Sequence, residues 1–300
     1  MKTILNNNTD PFFNLALEEY LLKHLDLGDD IFYLWRNDPC VVIGRNQNPF
    51  NEIDLRYARE HDIPVLRRIS GGGAVYHDLG NINFTFITTK LSERLNNYEH
   101  FLTPIIGILK KLELPVTFVA PTHLYLGDTK ISGNAQSYYK NKMTHHGTLL
   151  YDVDMTHLNR ILTSKGNYST KAVDSTRAKT TNIKRALPIA TDIDEFMEFL
   201  LHTMFLDDYQ AHVYELTDED LAPIYNLAET KYDTWEWTFG ESPEFTVRFI
   251  WDNQNHSILV TNGFIKHATL FPDKMIGERF DEPLLRDLLE NDALLHAIFQ

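Results

Sequence analysis

Between Arg67 and Asp78 the chain reads RRISGGGAVYHD, with three consecutive glycines behind a pair of arginines. Without Cβ atoms that backbone is free to take positive φ and to bring peptide N–H groups against a ligand. No phosphate loop of the G-x-x-x-x-G-K-[ST] kind fits the stretch, and Tyr76 stands where the dinucleotide fingerprint needs its third glycine. A glycine run alone marks a tight turn. The arginine pair, together with GDTKISG at 127–133, is what points to an anionic ligand.

The strand IPVLRRIS delivers Arg67 and Arg68 to the glycine loop, which places ligand-facing backbone at a sheet end. Side chains alternate along a strand, so one of the two arginines faces away from the ligand. NINFTFITT then puts Ile82, Phe84 and Phe86 on an apolar face and Asn81, Asn83 and Thr85 on a polar one, with Asn83 close enough to the loop to line a site. Lys130 lies in a β-rich stretch with Gly127, Ser132 and Gly133 around it, which leaves room for close approach of a ligand.

The remaining pattern supplies a frame. DPFFNLALEEYLLKHL is a helix capped by Thr9 or Asp10 and ended by Gly28, with a packing role. IFYLW and CVVIG read as a hairpin about the turn at 36–39, and the polar GRNQNPFNE leads to a helix capped at Asn51. YEHFLTPIIGILKKLEL is a helix with an irregularity at Pro104 and Gly107. Residues 163–185, rich in Ser, Thr and Lys, read as a mobile loop: a disordered surface, a solubilising patch, or a lid over an anionic ligand. Helices opened by Thr191 and Thr217 follow, WEWTFG breaks their pattern, and a junction near Phe239 divides the chain into 1–238 and 239–300.

Several classes are disfavoured. A single cysteine, Cys40, precludes a disulfide framework or cysteine-based zinc site, and its apolar strand reads as a buried, inert thiol. His145 and His146 are adjacent and diverge on a strand, so no metal centre is expected there. A net charge of −14 argues against nucleic acid as partner. With no apolar run near membrane-spanning length and no signal-peptide core, the expectation is a soluble, cytoplasmic protein without membrane association.

RRISGGGAVYHDLGNINFTF, GDTKISGNAQ, HHGTLL and STKAVDSTRAKTTNI, in that order, resemble the lipoate-protein ligase A family of the biotin/lipoate ligase superfamily. DPFFNLALEE, PCVVIGRNQN and WEWTFG fit as well, so the likeness spans about residues 1–240. It implies an α/β (α+β) fold: a biotin/lipoyl-ligase-like mixed β-sheet flanked by helices, plus a small C-terminal α/β accessory domain, here shortened. It implies that lipoate and ATP, with Mg2+, give lipoyl-AMP and pyrophosphate. The lipoyl group then passes to a lysine of a lipoyl domain of 2-oxoacid dehydrogenase E2 subunits or of glycine-cleavage H protein.

Carried over by motif, Arg68, Gly73, Ala74, Val75 and Tyr76 would bind the nucleotide, and Lys130 both the lipoyl carboxylate and the α-phosphate. Arg67, Ser70, Gly71, Gly72, His77, Asn83, Ser132, Gly133, His146 and Gly147 would line the lipoate site or add contacts. The chemistry agrees: adenylation joins two anions, and a compact ammonium on a flexible stem relieves their repulsion. No carboxylate pair marks a metal site, so magnesium is expected to ride on phosphates and water. Asp128 and His146 are candidates for taking the acceptor lysine's proton. Two alternatives of other kinds are an ATP-independent octanoyl- or lipoyl-transferase of the same fold, which needs a cysteine nucleophile, and a non-catalytic lipoyl-binding protein.

Overall fold

A computed structural model describes residues 1–299 except 164–167, 176–177 and 190. In chain order the strands are Lys2–Leu5 (β1), Ile31–Trp35 (β2), Cys40–Ile43 (β3), Val65–Arg67 (β4), Val75–His77 (β5), Asn81–Thr88 (β6), Val116–Val119 (β7), His123–Leu126 (β8), Thr129–Tyr139 (β9) and Lys142–Leu150 (β10). Tyr168–Thr170 (β11), Phe245–Trp251 (β12), Gln254–Thr261 (β13) and Phe264–Ala268 (β14) follow. The main sheet has the order β1-β2-β6-β10-β9-β8-β7, a three-stranded sheet the order β4-β3-β5, and a C-terminal sheet the order β11-β12-β13-β14. Helices flank the main sheet: the helix Tyr98–Lys111 packs its buried Phe101, Leu102 and Ile105 into the core of one face, and the helix Pro11–Lys23 (α1) covers the other.

The expected hairpin of β2 and β3 does not form. β2 pairs with β1 and β6, whereas β3 pairs in parallel with β4 and antiparallel with β5. The reason lies in α1: Asn14 Nδ2 donates to the Arg36 carbonyl and to Asn37 Oδ1, fixing the connection so that the chain changes sheets. Both strands are fully buried, which a two-stranded ribbon facing solvent would not require.

Other boundaries also shift. Asp10 caps α1, accepting from the Phe12 N–H. The helix after the polar loop splits into Pro49–Glu52, capped by Asn48 rather than Asn51, and Leu55–Glu60, capped by Asp54. The helix around Pro104 runs unbroken from Tyr98 to Lys111. Asp192, not Thr191, opens the helix Ile193–Met204, with Glu195 completing a capping box. WEWTFG does not end the helical run, because Ala228–Tyr232 and Glu236–Gly240 are turns of π-helix.

The segment 163–185 is only partly a loop. Tyr168–Thr170 is the edge strand of the C-terminal sheet, and Ile183–Ala186 is a 3-10 turn, so that sheet is not built from the last sixty residues alone. Its own core, around Phe245, Val247, Ile258 and Phe280, also takes in Phe50 and Tyr168.

Candidate active site

The β4 strand and its exit decide which arginine faces which way. Arg67 is fully buried and points at the C-terminal segment: its guanidinium donates to the carbonyls of Gly44, Arg45, Gln47, Trp237 and Thr238 and to Ser242 Oγ. Trp237 Nε1 donates back to the Arg67 carbonyl at 2.6 Å. Arg67 is therefore a tie between the glycine-loop strand and the chain leading to the C-terminal sheet, and the contact with ligand expected of it is corrected.

Arg68 faces the opposite way, under the glycine loop. Nη2 donates to the Gly71 and Gly73 carbonyls at 2.6 and 2.9 Å, Nη1 to Val42 O, and Nε to Ser70 Oγ. With two loop carbonyls turned down onto a buried cation, the glycine loop holds its N–H edge toward the cavity above. Gly72 has φ +89°, a conformation that only glycine takes freely, and a Cβ on Gly44 would stand 2.0 Å from the Gly72 carbonyl. Burial pushes the Arg68 guanidinium down to about 10, with the Glu18 charge opposing.

Two cavities meet at this loop. One, of about 200 Å³, is lined by Glu52, Ala74, Val75, Tyr76, Ser132, Leu158, Leu162, Ser175 and Thr180. The other, of about 500 Å³, is lined by Leu15, Trp35, Val42, Arg68, Gly71, Gly72, Gly73, His77, Asn83, Ala135, His146 and Gly147. Lys130 lines both, as do Ala74, Val75, Gly133, Thr148 and Ser175. Of the substrate-binding residues expected from sequence, Arg67 and Ser70 line neither.

Lys130 reaches this junction because β9 bulges between Leu124 and Tyr125 of its neighbour, turning Ile131 into the core and the lysine out. The ammonium has a place because residue 133 lacks a side chain: a Cβ there would stand 3.2 Å from Nζ. Burial lowers the lysine to about 8. From Gly133, whose N–H donates to Thr148 Oγ1, a row runs across the sheet through Thr148 and Asn83 to Trp35. Three strand spacings make this floor about 14 Å long.

Within 163–185, the stretch expected to be a lid, residues 173–175 are bonded to the glycine loop and to the polar loop after β3. Ser175 Oγ accepts from the Ala74 N–H and from Gln47 Nε2, Ser175 N–H donates to Glu52 Oε2, and Val173 N–H to the Asn46 carbonyl. Thr176 and Arg177 lie outside the described residues. Further on, Thr180 bridges β9 at Lys130 and lines the smaller cavity.

The proposed proton acceptors fare less well. Asp128 is exposed, lies 3.6 Å from Lys179 Nζ and lines neither cavity. His146 has both ring nitrogens engaged, Nδ1 with Glu18 and Nε2 with Ser70 Oγ. His77 is buried, and burial, aided by the Arg68 charge, lowers it to about 3, so it is neutral near pH 7. Cys40 lines neither cavity and burial pushes its thiol up. Among the described residues no group of three or more His, Cys, Asp or Glu is placed to hold a metal ion, and no helix is long and apolar enough to cross a membrane.

Sequence reasoning missed Glu18, Gln47, Glu52 and Thr148. Glu18 carried a readable signal, a carboxylate on a helix whose neighbours at 15, 17, 21 and 22 are all apolar. The other three carry none, since nothing local separates a polar residue that lines a cavity, or that bonds to one that does, from one in water.

Residues 10–205 match the model of the lipoyl protein ligase A/B catalytic domain. Lipoate–protein ligase 1 of Staphylococcus aureus is 38% identical over 279 residues, covering 91% of this chain and 85% of its own. A crystal structure of lipoate-protein ligase A bound with ATP is similar with a TM-score of 0.66 at 25% identity, covering 80% of this chain and 98% of that one. A bi-partite lipoate protein ligase of Thermoplasma acidophilum, described with its E2 lipoyl domain, is similar with a TM-score of 0.65 at 25% identity over 80% of this chain and 95% of that one.

Proposed function

The chain belongs to the lipoate-protein ligase family, and from that premise we propose that it joins lipoate to ATP as lipoyl-AMP and passes the lipoyl group to a lysine of a lipoyl domain or of glycine-cleavage H protein. The observation that carries this reading is Lys130, whose side chain lines both cavities where they meet at the glycine loop. The smaller cavity, with Ala74, Val75 and Tyr76, suits the nucleotide; the larger, walled by Leu15, Trp35 and Val42, suits the acyl tail.

In the first step a carboxylate oxygen attacks the α-phosphorus, a new P–O bond forms, and the bond to pyrophosphate breaks. Lys130 spans the two anions and offsets the charge that gathers between them, while the glycine loop offers N–H donors. In the second step the neutral acceptor amine attacks the acyl carbon, a C–N bond forms, AMP leaves with the C–O bond electrons, and the nitrogen gives up its proton to water; Lys130 is placed to stabilise the departing phosphate. Magnesium enters with ATP as substrate, since Glu52 is the carboxylate lining the nucleotide cavity and its oxygens already accept from Asn51 and Ser175. The strip 173–175 shields the adenylate from water, and the sheet of β11–β14 serves as an accessory unit to the catalytic portion.

Pyrophosphate release on mixing protein, lipoate and ATP tests the assignment. Wild-type chain releases it, and Lys130→Ala does not while its circular dichroism is unchanged. Wild-type rates in that variant would refute the role of Lys130. A cysteine-based transferase is disfavoured by the buried Cys40.

A further inference from the structure

Behind the wall shared by the glycine loop and the acyl cavity lies a buried polar chain. Glu18, on α1, is 1% exposed. Both its carboxylate oxygens lie 2.8 Å from His146 Nδ1. His146 Nε2 lies 2.7 Å from Ser70 Oγ, which in turn accepts from Arg68 Nε at 2.9 Å, and Arg68 holds the Gly71 and Gly73 carbonyls. In the other direction Glu18 Oε1 accepts from Thr85 Oγ1 at 2.8 Å, and Thr85 Oγ1 accepts from Trp35 Nε1 at 3.0 Å.

A carboxylate only accepts, so His146 carries a hydrogen on Nδ1, and its other nitrogen, Nε2, is bonded to the Ser70 hydroxyl. Donors from two sides thus converge on Glu18, the His146 Nδ1–H on one and the Thr85 hydroxyl on the other. Ser, His and Glu are arranged here as in a nucleophilic triad, yet the Ser70 hydroxyl is 1% exposed and turned to Arg68, and neither Ser70, Glu18 nor Thr85 lines a cavity. These three residues do not touch substrate.

We propose that Glu18 is a positioning residue that joins the two substrate sites. Through His146 and Ser70 it fixes Arg68, and with it the carbonyls that turn the glycine loop's N–H edge outward. Through Thr85 it holds Trp35, which ends the acyl floor. Glu18 is also the buried countercharge of Arg68, so the loop's cation and the helix's anion are each secured without a direct contact. An acyl tail seated against Trp35 presses on the same hub that orders the phosphate loop, and lipoate and nucleotide therefore bind synergistically. The inference rests on the ligase reading above.

Binding of a non-cleavable ATP analogue, with and without saturating lipoate, measures the link by calorimetry. Wild-type chain binds the analogue about tenfold more tightly when lipoate is present, and lipoate shows the same factor in the reciprocal titration. Thr85→Val, near-isosteric and certain to leave the glycine loop's own bonds in place, brings the factor below about twofold while the analogue alone binds as to wild type. Glu18→Gln also removes the synergy and, in addition, weakens the analogue alone severalfold, more than it weakens lipoate alone. A merely structural role would weaken both ligands in parallel and leave their ratio untouched. Wild-type binding of both ligands with no synergy, or synergy retained in Thr85→Val, overturns the link and leaves the ligase reading standing; binding of neither ligand to wild type overturns both.

Discussion

Replacing Lys130 by methionine should abolish adenylation and at the same time make the fold more stable. Burial lowers the lysine from 10.5 to about 8 in the folded chain. Each pH unit of that kind corresponds to about 1.4 kcal/mol, so keeping the ammonium charged near pH 7 costs the fold about 3 kcal/mol. The sign follows from the proton balance. Below pH 8 folded and unfolded chains both hold the proton and the full cost stands; between 8 and 10.5 the folded chain releases it first, the cost fades, and above 10.5 it is gone. Urea unfolding at pH 7 should place Lys130→Met about 2–3 kcal/mol above wild type, and at pH 9.5 the gap should narrow to about 1 kcal/mol. A variant no more stable than wild type at pH 7, or a gap independent of pH, would refute the reasoning that this charge is held against burial for the sake of its ligands.

Three further outcomes are expected. Arg67→Lys, measured by chemical unfolding, loses about 3 kcal/mol or more, because an ammonium cannot reach the six acceptors that the guanidinium serves; limited proteolysis should then cut near 237–242. Gly133→Ala keeps its melting temperature within about 2 °C but lowers pyrophosphate release at least about tenfold, since the new methyl displaces the Lys130 ammonium. Cys40→Ala costs about 1–2 kcal/mol of stability from its small cavity and leaves acyl transfer to a lipoyl domain within about threefold of wild type, whereas loss of transfer would revive an acyl-cysteine route.

Much of this site was legible as residues. A glycine run after paired arginines, and a lysine set among glycine and serine, are chemistry written in consecutive positions, and strand alternation alone says that Arg67 and Arg68 part company. Alternation does not say which of them meets the ligand side. That choice was made by Trp237, Thr238 and Ser242, some 170 residues away, whose acceptors surround Arg67. Local pattern likewise proposes β2 and β3 as a hairpin, because turn residues lie between them, yet the bonds from Asn14 on α1 send them to different sheets.

By itself the sequence determined which groups are present: bare backbone able to face an anion, a cation beside it, enough apolar surface to wall a chain-shaped cavity, and no cysteine free to serve as nucleophile. Tertiary structure alone decided which of these converge. Glu18, Ser70, Thr85 and His146 lie on four separate segments, and nothing in their local surroundings names their partners. Short-range propensity sets the element; a buried polar atom takes whichever complementary atom the packed layers bring within about 3 Å, and that is a property of the closed fold.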